Sequence, residues 1–396
     1  MVSAATSPPG FTTLVLLTGL SVLTLNMFLP SLPAIASDLE ATYALASLSI
    51  SGYLAMTAIL QLIIGPLSDR CGRRPVLLIC MALFTLASLG CMLATNIWTF
   101  FTFRVVQGAV IAGYTLSLAV IRDTTSPQRA ASLIGYVSMA MAAAPMIGPM
   151  IGGVLDELFG WRASFLTLII LGAVALAVCW SDLGETNRSP SGTLMAQIGT
   201  YPDLVRSKRF WGYALCMTFS TGAFYSFLAG APLVAETFFD MPPSLLGFYM
   251  GTITAGFMLG SFLAGRYAQY YTLATMMIAG RILACVGLTA GLALHAAGTV
   301  NVASFFGATV FLGFGNGLTI PSSNAGALSV LPHLTGSAAG LAGALAVSGG
   351  ALLMTITSSI LTEQNAAYAE LGMMLLCAFV GLIAALHVRR LDQNDA

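Results

Sequence analysis

Arg104-Val-Val-Gln107-Gly108 sets a guanidinium and a carboxamide one helical turn apart inside an otherwise apolar stretch. An arginine at that depth costs several kcal/mol unless it faces water or finds partners, so Arg104 is expected to point into a polar cavity. Because it lies about two turns from Trp98, snorkelling to an interface stays open as the alternative. A second group is Gly65-Pro-Leu-Ser-Asp-Arg-Cys-Gly-Arg-Arg74. There Gly65 and Gly72 would allow close approach and a tight turn, Asp69 supplies an acceptor, and Arg70, Arg73 and Arg74 anchor one face. The third is Ala144-Pro145-Met-Ile-Gly148-Pro149-Met-Ile-Gly152-Gly153. Gly148 and Gly152, four residues apart, present a bare face to a neighbouring helix, and Pro145 and Pro149 permit a bend, which leaves packing and gating both open.

Nothing in the sequence assembles a catalytic centre. His295, His333 and His387 are far apart, and the seven cysteines lack metal-ligand spacing and read as small buried hydrophobes. Gly313-Phe-Gly315-Asn-Gly317 imitates a dinucleotide loop but sits in an apolar run with no preceding strand. An integral-membrane enzyme would need clustered His, Asp, Glu or Cys near one membrane face, so the chain is not expected to be an enzyme or to carry a metal or cofactor.

The elements that position these groups follow from solvent. Of 396 residues, 57% are hydrophobic and 8% charged, too few polar side chains to clothe a water-soluble globule of that size. Fifteen basic and fifteen acidic residues cancel, leaving no global field to attract nucleic acid. A helix crossing the hydrocarbon core needs about 20 mostly apolar residues. Cutting the sequence at charges and Pro/Gly clusters gives twelve such segments, from Phe11 to Ala34 through Ala131 to Leu155 (the fifth) to Ala367 to Val388. No Lys or Arg precedes the first, and its length exceeds a signal peptide's apolar region, so it is read as a span.

The longest polar interruption divides the chain into a bundle over 1–181, a loop over 182–209 and a bundle over 210–396. Arg and Lys collect after even-numbered spans, whereas the other loops hold Asp38, Glu40, Asp156, Glu157, Asp240 and Glu363 with Arg162 as their one base. Both termini are therefore expected in the cytoplasm. Ser261 to Tyr270 is a faded copy of Gly65 to Arg74 at about half the chain length, the mark of two parallel six-helix halves.

Gly65 to Pro75 resembles the loop signature of the major facilitator superfamily, and Arg104 with Gln107-Gly108 is similar to its membrane-embedded arginine motif. The Pro145 to Gly153 run resembles the signature that marks its exporters. Within the superfamily, Leu25-Asn26-Met-Phe-Leu-Pro-Ser-Leu-Pro33, Trp161-Arg162, Gly184-Glu185-Thr186 and Arg122-Asp123 resemble the bicyclomycin-resistance (Bcr/CflA) exporters. In the C-terminal half the likeness is diffuse, at Gly230-Ala231-Pro232 and Gly336-Ser337-Ala338. The resemblance implies an all-α major facilitator fold of twelve transmembrane helices in a bacterial inner membrane. It further implies export of small drug-like molecules or metabolites, protons as coupling ion and a monomer. It also implies that Asp69, Arg70, Arg73, Arg74 and Asp123 form a latch closing the cytoplasmic side.

One position departs from that family. Its first-span carboxylate is here Asn26, and an amide cannot titrate. No Asp or Glu is expected at mid-depth of any span, which leaves Glu236, at the outer end of the seventh, as the best remaining proton carrier, with a loop carboxylate beside Asp240 as the alternative reading. Arg104 then lacks a counter-charge, which favours anionic or polar neutral cargo and keeps open a facilitator or an exchanger and uptake carrier of a small metabolite. Polar and aromatic residues at helical spacing outline a cavity: Tyr53, Arg104, Gln107, Tyr225 and Asn316, with Asn26 and, on the fifth span, Tyr136 beside Met139. Arg281, well inside the ninth span, is expected to snorkel.

Overall fold

Lipid offers no partner to a backbone N–H or C=O, so a spanning segment must satisfy its own, and an apolar chain of this kind has the helix as its answer. The computed structural model describes residues 9–125, 127–186, 201–267, 270–299, 301–331 and 335–394. It forms two compact units, Met1–Ala196 and Gln197–Ala396.

In the first unit the helices are α1 (Phe11–Asn26), α2 (Leu32–Asp38), α3 (Tyr43–Cys71), α4 (Arg73–Met92), α5 (Ile97–Gln107), α6 (Ile111–Thr124), α7 (Pro127–Phe159) and α8 (Arg162–Asp182). The second has α9 (Tyr201–Arg206), α10 (Lys208–Phe239), α11 (Pro243–Tyr267), α12 (Leu273–Ala296), α13 (Val302–Ser329), α14 (Thr335–Ile360) and α15 (Ala366–Asn394). Among the described residues, eleven helical segments are long and apolar enough to cross a membrane. The fifth expected span falls on α7, where part of the helix, including the side chains of Tyr136 and Met139, lies outside the described residues.

Side-chain caps mark the starts. Thr42, Asn96, Ser207 and Thr272 each accept from the backbone N–H three residues on, and Asn301 with Ser304 forms a reciprocal capping box. Two spans are less regular than expected. The first changes to a 3-10 turn over Leu29–Ser31, where Pro30 and Pro33 each lack the N–H an α-helix would use. The fourth passes through a 3-10 turn over Gly108–Val110 between α5 and α6. Pro145 and Pro149 by contrast remain within a continuous α7.

The packing surfaces are small residues. At Gly313, Gly315 and Gly317 a Cβ would run into the carbonyl oxygens of Ile253, Gly280 and Phe257 respectively. The run that imitates a nucleotide loop is thus the face on which α13 meets α11 and α12 backbone to backbone. In the first unit an aromatic cluster does the corresponding work: Phe100 stands edge-on to Phe165 at 5.4 Å and to Trp161 at 5.8 Å. Phe28 adds its ring to Phe165 at 5.8 Å. Of the cysteines, Cys71 is exposed, correcting the reading of all seven as buried: it sits at the end of α3, where the helix leaves the packed region.

Candidate functional site: a buried arginine and the helices around it

Asn96 starts α5, and two turns later the helix delivers Arg104 to a place with no exposed surface. Snorkelling is therefore excluded for this conformation. The guanidinium carbon lies 4.1 Å from the ring centre of Phe28 and 4.8 Å from that of Tyr53, so two aromatic faces take the place of a counter-ion. Nη1 donates to Gln107 Oε1 at 2.5 Å and to the Thr24 carbonyl at 3.4 Å. Gln107 Nε2 passes the chain to Ser88 Oγ at 2.7 Å, and Ser88 in turn donates to the Phe84 carbonyl. Among the described residues Arg104 Nε and Nη2 have no hydrogen-bond partner, which leaves two of the three guanidinium nitrogens without an acceptor.

The walls of this pocket are tied together by the same residues. Tyr53 donates to the Ser21 carbonyl at 3.2 Å, and Ser21 Oγ reaches the Val110 carbonyl at 2.8 Å, linking α3, α1 and the Gly108–Val110 turn. Asn26 is buried; its amide donates to the Val22 carbonyl at 2.8 Å while Oδ1 has no partner. Directly against it lies α7. A Cβ at Gly148 would stand 3.1 Å from Asn26 Cβ, and one at Gly152 would land on the Met27 carbonyl oxygen. Pro149 is buried and Pro145 half-buried beside them. Tyr53, Arg104 and Gln107 are thus brought together, whereas the contacts of Asn26 are with Val22 and α7, where the exporter-like Gly148 touches the position at which the expected acid is missing.

In the second unit Tyr225 packs against Gly350. Asn316 makes interhelical hydrogen bonds, and Arg281 does not snorkel. Arg281 has no exposed surface and donates through Nε to Thr319 Oγ1 at 3.0 Å and through Nη2 to Asn316 Oδ1 at 2.5 Å. Asn316 Nδ2 closes the arrangement on the Ser220 carbonyl at 3.0 Å. A signal for this was present: an intramembrane arginine demands partners, and Asn316 and Thr319 stand one turn apart on the next span. Glu236 is exposed near the end of α10. Glu370, in the second turn of α15 and so not at mid-depth, nevertheless has no exposed surface; its burial comes from the helices that cover it and not from its distance along the segment.

At the other end of unit one, the charged motif is partly helical, since α3 continues to Cys71 before Gly72 turns the chain at φ 96°. Gly65 lies inside α3 with open space where a Cβ would point, so it serves no close approach. Arg73 carries the cluster, pairing with Asp69 at 2.6 Å and Asp123 at 3.2 Å and donating to Ser68 at 2.5 Å. Arg74 lies over Trp180 and donates to its carbonyl, whereas Arg70 is exposed. Glu185, quoted in the sequence without a role, accepts from the backbone N–H groups of Arg73 at 2.9 Å and Arg74 at 3.2 Å. It supplies acceptors and negative charge to the start of α4 from 112 residues away. Glu185→Ala is expected to destabilise this corner by about 1 kcal/mol, read as a lowered melting temperature in detergent. On the opposite face Arg162 pairs with Asp38 at 2.7 Å, both half-exposed, and Trp161 donates to the same carboxylate.

Comparison with known proteins agrees with this architecture. The sequence profile of the Major Facilitator Superfamily matches residues 14–355. The chain is 32% identical over 390 residues to an uncharacterized MFS-type transporter, YdgK, of Bacillus subtilis strain 168, covering 95% of this chain and 94% of that one. It is 29% identical to a chloramphenicol resistance protein of Pseudomonas aeruginosa, over 87% of this chain and 81% of the relative. Among solved structures, a bacterial homolog of the human lysosomal transporter Spinster superposes with a TM-score of 0.78 at 16% identity, over 97% of this chain and 96% of the other. The chain belongs to the major facilitator superfamily, as an all-helical, multi-pass membrane transporter and not an enzyme.

Proposed function

We propose that this transporter exports small drug-like molecules or metabolites by proton antiport through alternating access, as a Bcr/CflA-type exporter in a bacterial inner membrane with both termini in the cytoplasm. The observation that carries the reading is the setting of Arg104: a buried cation held between Phe28 and Tyr53, with Nε and Nη2 unpartnered among the described residues, in a first span that has Asn26 in place of an acid. Such a group offers hydrogen-bond donors and aromatic faces without negative charge, which suits neutral polar or anionic cargo with acceptor oxygens. The relative named for chloramphenicol resistance supports a cargo of this kind. The glycine face of α7 against Asn26 and Met27 supports the exporter direction. The cluster of Arg73 with Asp69 and Asp123 supports a latch: isolated exposed pairs are worth about 0–1 kcal/mol, yet a network suffices to bias two states that differ by a few kcal/mol.

The test is cellular accumulation. Cells producing the protein are expected to hold less labelled chloramphenicol than cells without it, and a protonophore should erase the difference. Equal accumulation in both would overturn export of this cargo.

Asn26 favours a second reading, a facilitator or an exchanger whose anionic cargo carries the coupling. Substitution at that position separates the two. Asn26→Asp places a titratable group against Gly148, so it is expected to steepen the pH dependence of transport and extend cargo to organic cations such as ethidium. An unchanged pH profile and cargo range would count against any coupling role for this position.

A further inference from the structure

Among the described residues Glu370 is the one acid without exposed surface. It sits in the second turn of α15, facing Gly230 of α10, where a Cβ would lie 2.5 Å from both the carboxyl carbon and Oε2. Neither oxygen has a hydrogen-bond partner.

Among the described residues, the helices of this unit bring no counter-charge to it. Over Thr335–Ile360, α14 contains no Asp, Glu, Lys, Arg or His, and α13 contains none over Val302–Ser329. On α10 the nearest charged side chain is Glu236, six residues beyond Gly230 and exposed, and its electrostatic neighbour is Glu363, also outside the buried region. On α12, His295 meets the ring of Tyr368 edge-to-face, and the Tyr368 hydroxyl donates to the His295 carbonyl at 3.1 Å. Arg281, also on α12, lies against Gly381, eleven residues or about 16 Å further along α15.

A carboxylate in such surroundings would have neither cation nor donor among the described residues and no exposed surface, so the form compatible with this packing is the neutral acid. For packing alone an apolar side chain of similar volume would serve better. The covering helix also has a place to yield. Pro232 removes the N–H that would bond the Leu228 carbonyl, and Gly230 two residues earlier adds no side chain, so α10 is weakest where it lies over the acid.

We propose that Glu370 is a proton-binding site of the C-terminal unit, covered and protonated in this conformation and uncovered when α10 bends at Gly230–Pro232. The step is a simple ionisation: water reaches the carboxyl, the O–H bond breaks, the proton leaves to water on the open side, and the carboxylate remains until a proton returns. The proposal rests on the reading of the chain as a proton-linked transporter and supplies the titratable group that Asn26 cannot.

Infrared spectroscopy of the purified full chain in lipid, with no cargo added, tests the protonation by itself. At neutral pH the wild type should show a protonated-carboxyl carbonyl stretch that Glu370→Gln removes. Absence of that band in wild type, or its persistence in Glu370→Gln, overturns the proposal. Should that variant not insert, Glu370→Asp must shift the same band, and failure to shift it counts equally against the assignment. The transport arm uses chloramphenicol in proteoliposomes under an imposed pH gradient. Glu370→Gln is expected to lower gradient-driven accumulation about tenfold while leaving exchange at equal pH, a split that a merely structural defect would not produce. Gradient-driven accumulation equal to wild type would refute the coupling role. If wild type itself moves no chloramphenicol, export of that cargo fails, and the infrared band still decides whether Glu370 holds the proton.

Discussion

Arg104→Ala is expected to abolish transport while the protein still inserts and accumulates in the membrane. Among the described residues the arginine keeps two nitrogens, Nε and Nη2, without a partner, so its loss removes donors that would recognise an acceptor on the cargo. The structural cost is bounded. Gln107 Oε1 loses its donor, worth about 1–3 kcal/mol for a buried group, and the rings of Phe28 and Tyr53 lose a cation worth about 2 kcal/mol when desolvated. Against this, an intramembrane charge that was itself costly is removed. Arg104→Lys is expected to restore little, because an ammonium lacks the planar fork that spans Gln107, Thr24 and two rings at once. Immunoblotting for membrane content alongside labelled-cargo accumulation checks both halves of the expectation; normal transport by Arg104→Ala would discard the site.

Gly152→Ala is expected to be nearly as damaging, for a steric reason. The added Cβ would occupy the position of the Met27 carbonyl oxygen, and backbone cannot swing aside as a side chain can. Overpacking typically costs about 1–3 kcal/mol, and here it would push α7 off the point where the first span turns from α-helix to 3-10. Gly148→Ala should be milder, since its Cβ would meet Asn26 Cβ at 3.1 Å, a contact that a few tenths of an ångström relieves. Gly65→Ala, with nothing within 4 Å, should leave stability unchanged or slightly raised by helix propensity. Melting temperature and cargo flux measured across the three variants give the ranking; equal behaviour of Gly152→Ala and Gly65→Ala would contradict the close packing of α7 on the first span.

The spans were legible because lipid imposes a simple rule on sequence: apolar runs of one length, broken where Arg, Lys, Pro and Gly gather. Arg104 with Gln107 was legible for the same reason, since a charge in such a run must have a purpose and its amide partner stands one turn away. Less was visible where partners come from other helices. Nothing near Glu185 in sequence says that its carboxylate receives the first N–H groups of α4. Asn316 carries a polar group at the spacing of a cavity stripe, and the amide holds Arg281 instead. The burial of Glu370 was not legible because its distance from a segment end is small, while its cover is set by Gly230 on a helix 140 residues earlier. The 3-10 turn at Gly108–Val110 has no proline to announce it; the glycine there sits against Met56 and the Tyr53 carbonyl, a tertiary contact that local propensity does not encode.

Flux through purified protein in sealed proteoliposomes addresses the central claim most directly. With labelled chloramphenicol outside and an acidic lumen, wild-type vesicles should concentrate the unmodified compound above its external level, collapse that gradient on addition of a protonophore, and show neither behaviour with Arg104→Ala. Equal uptake by wild-type, Arg104→Ala and protein-free vesicles, whatever the pH gradient, would contradict the account.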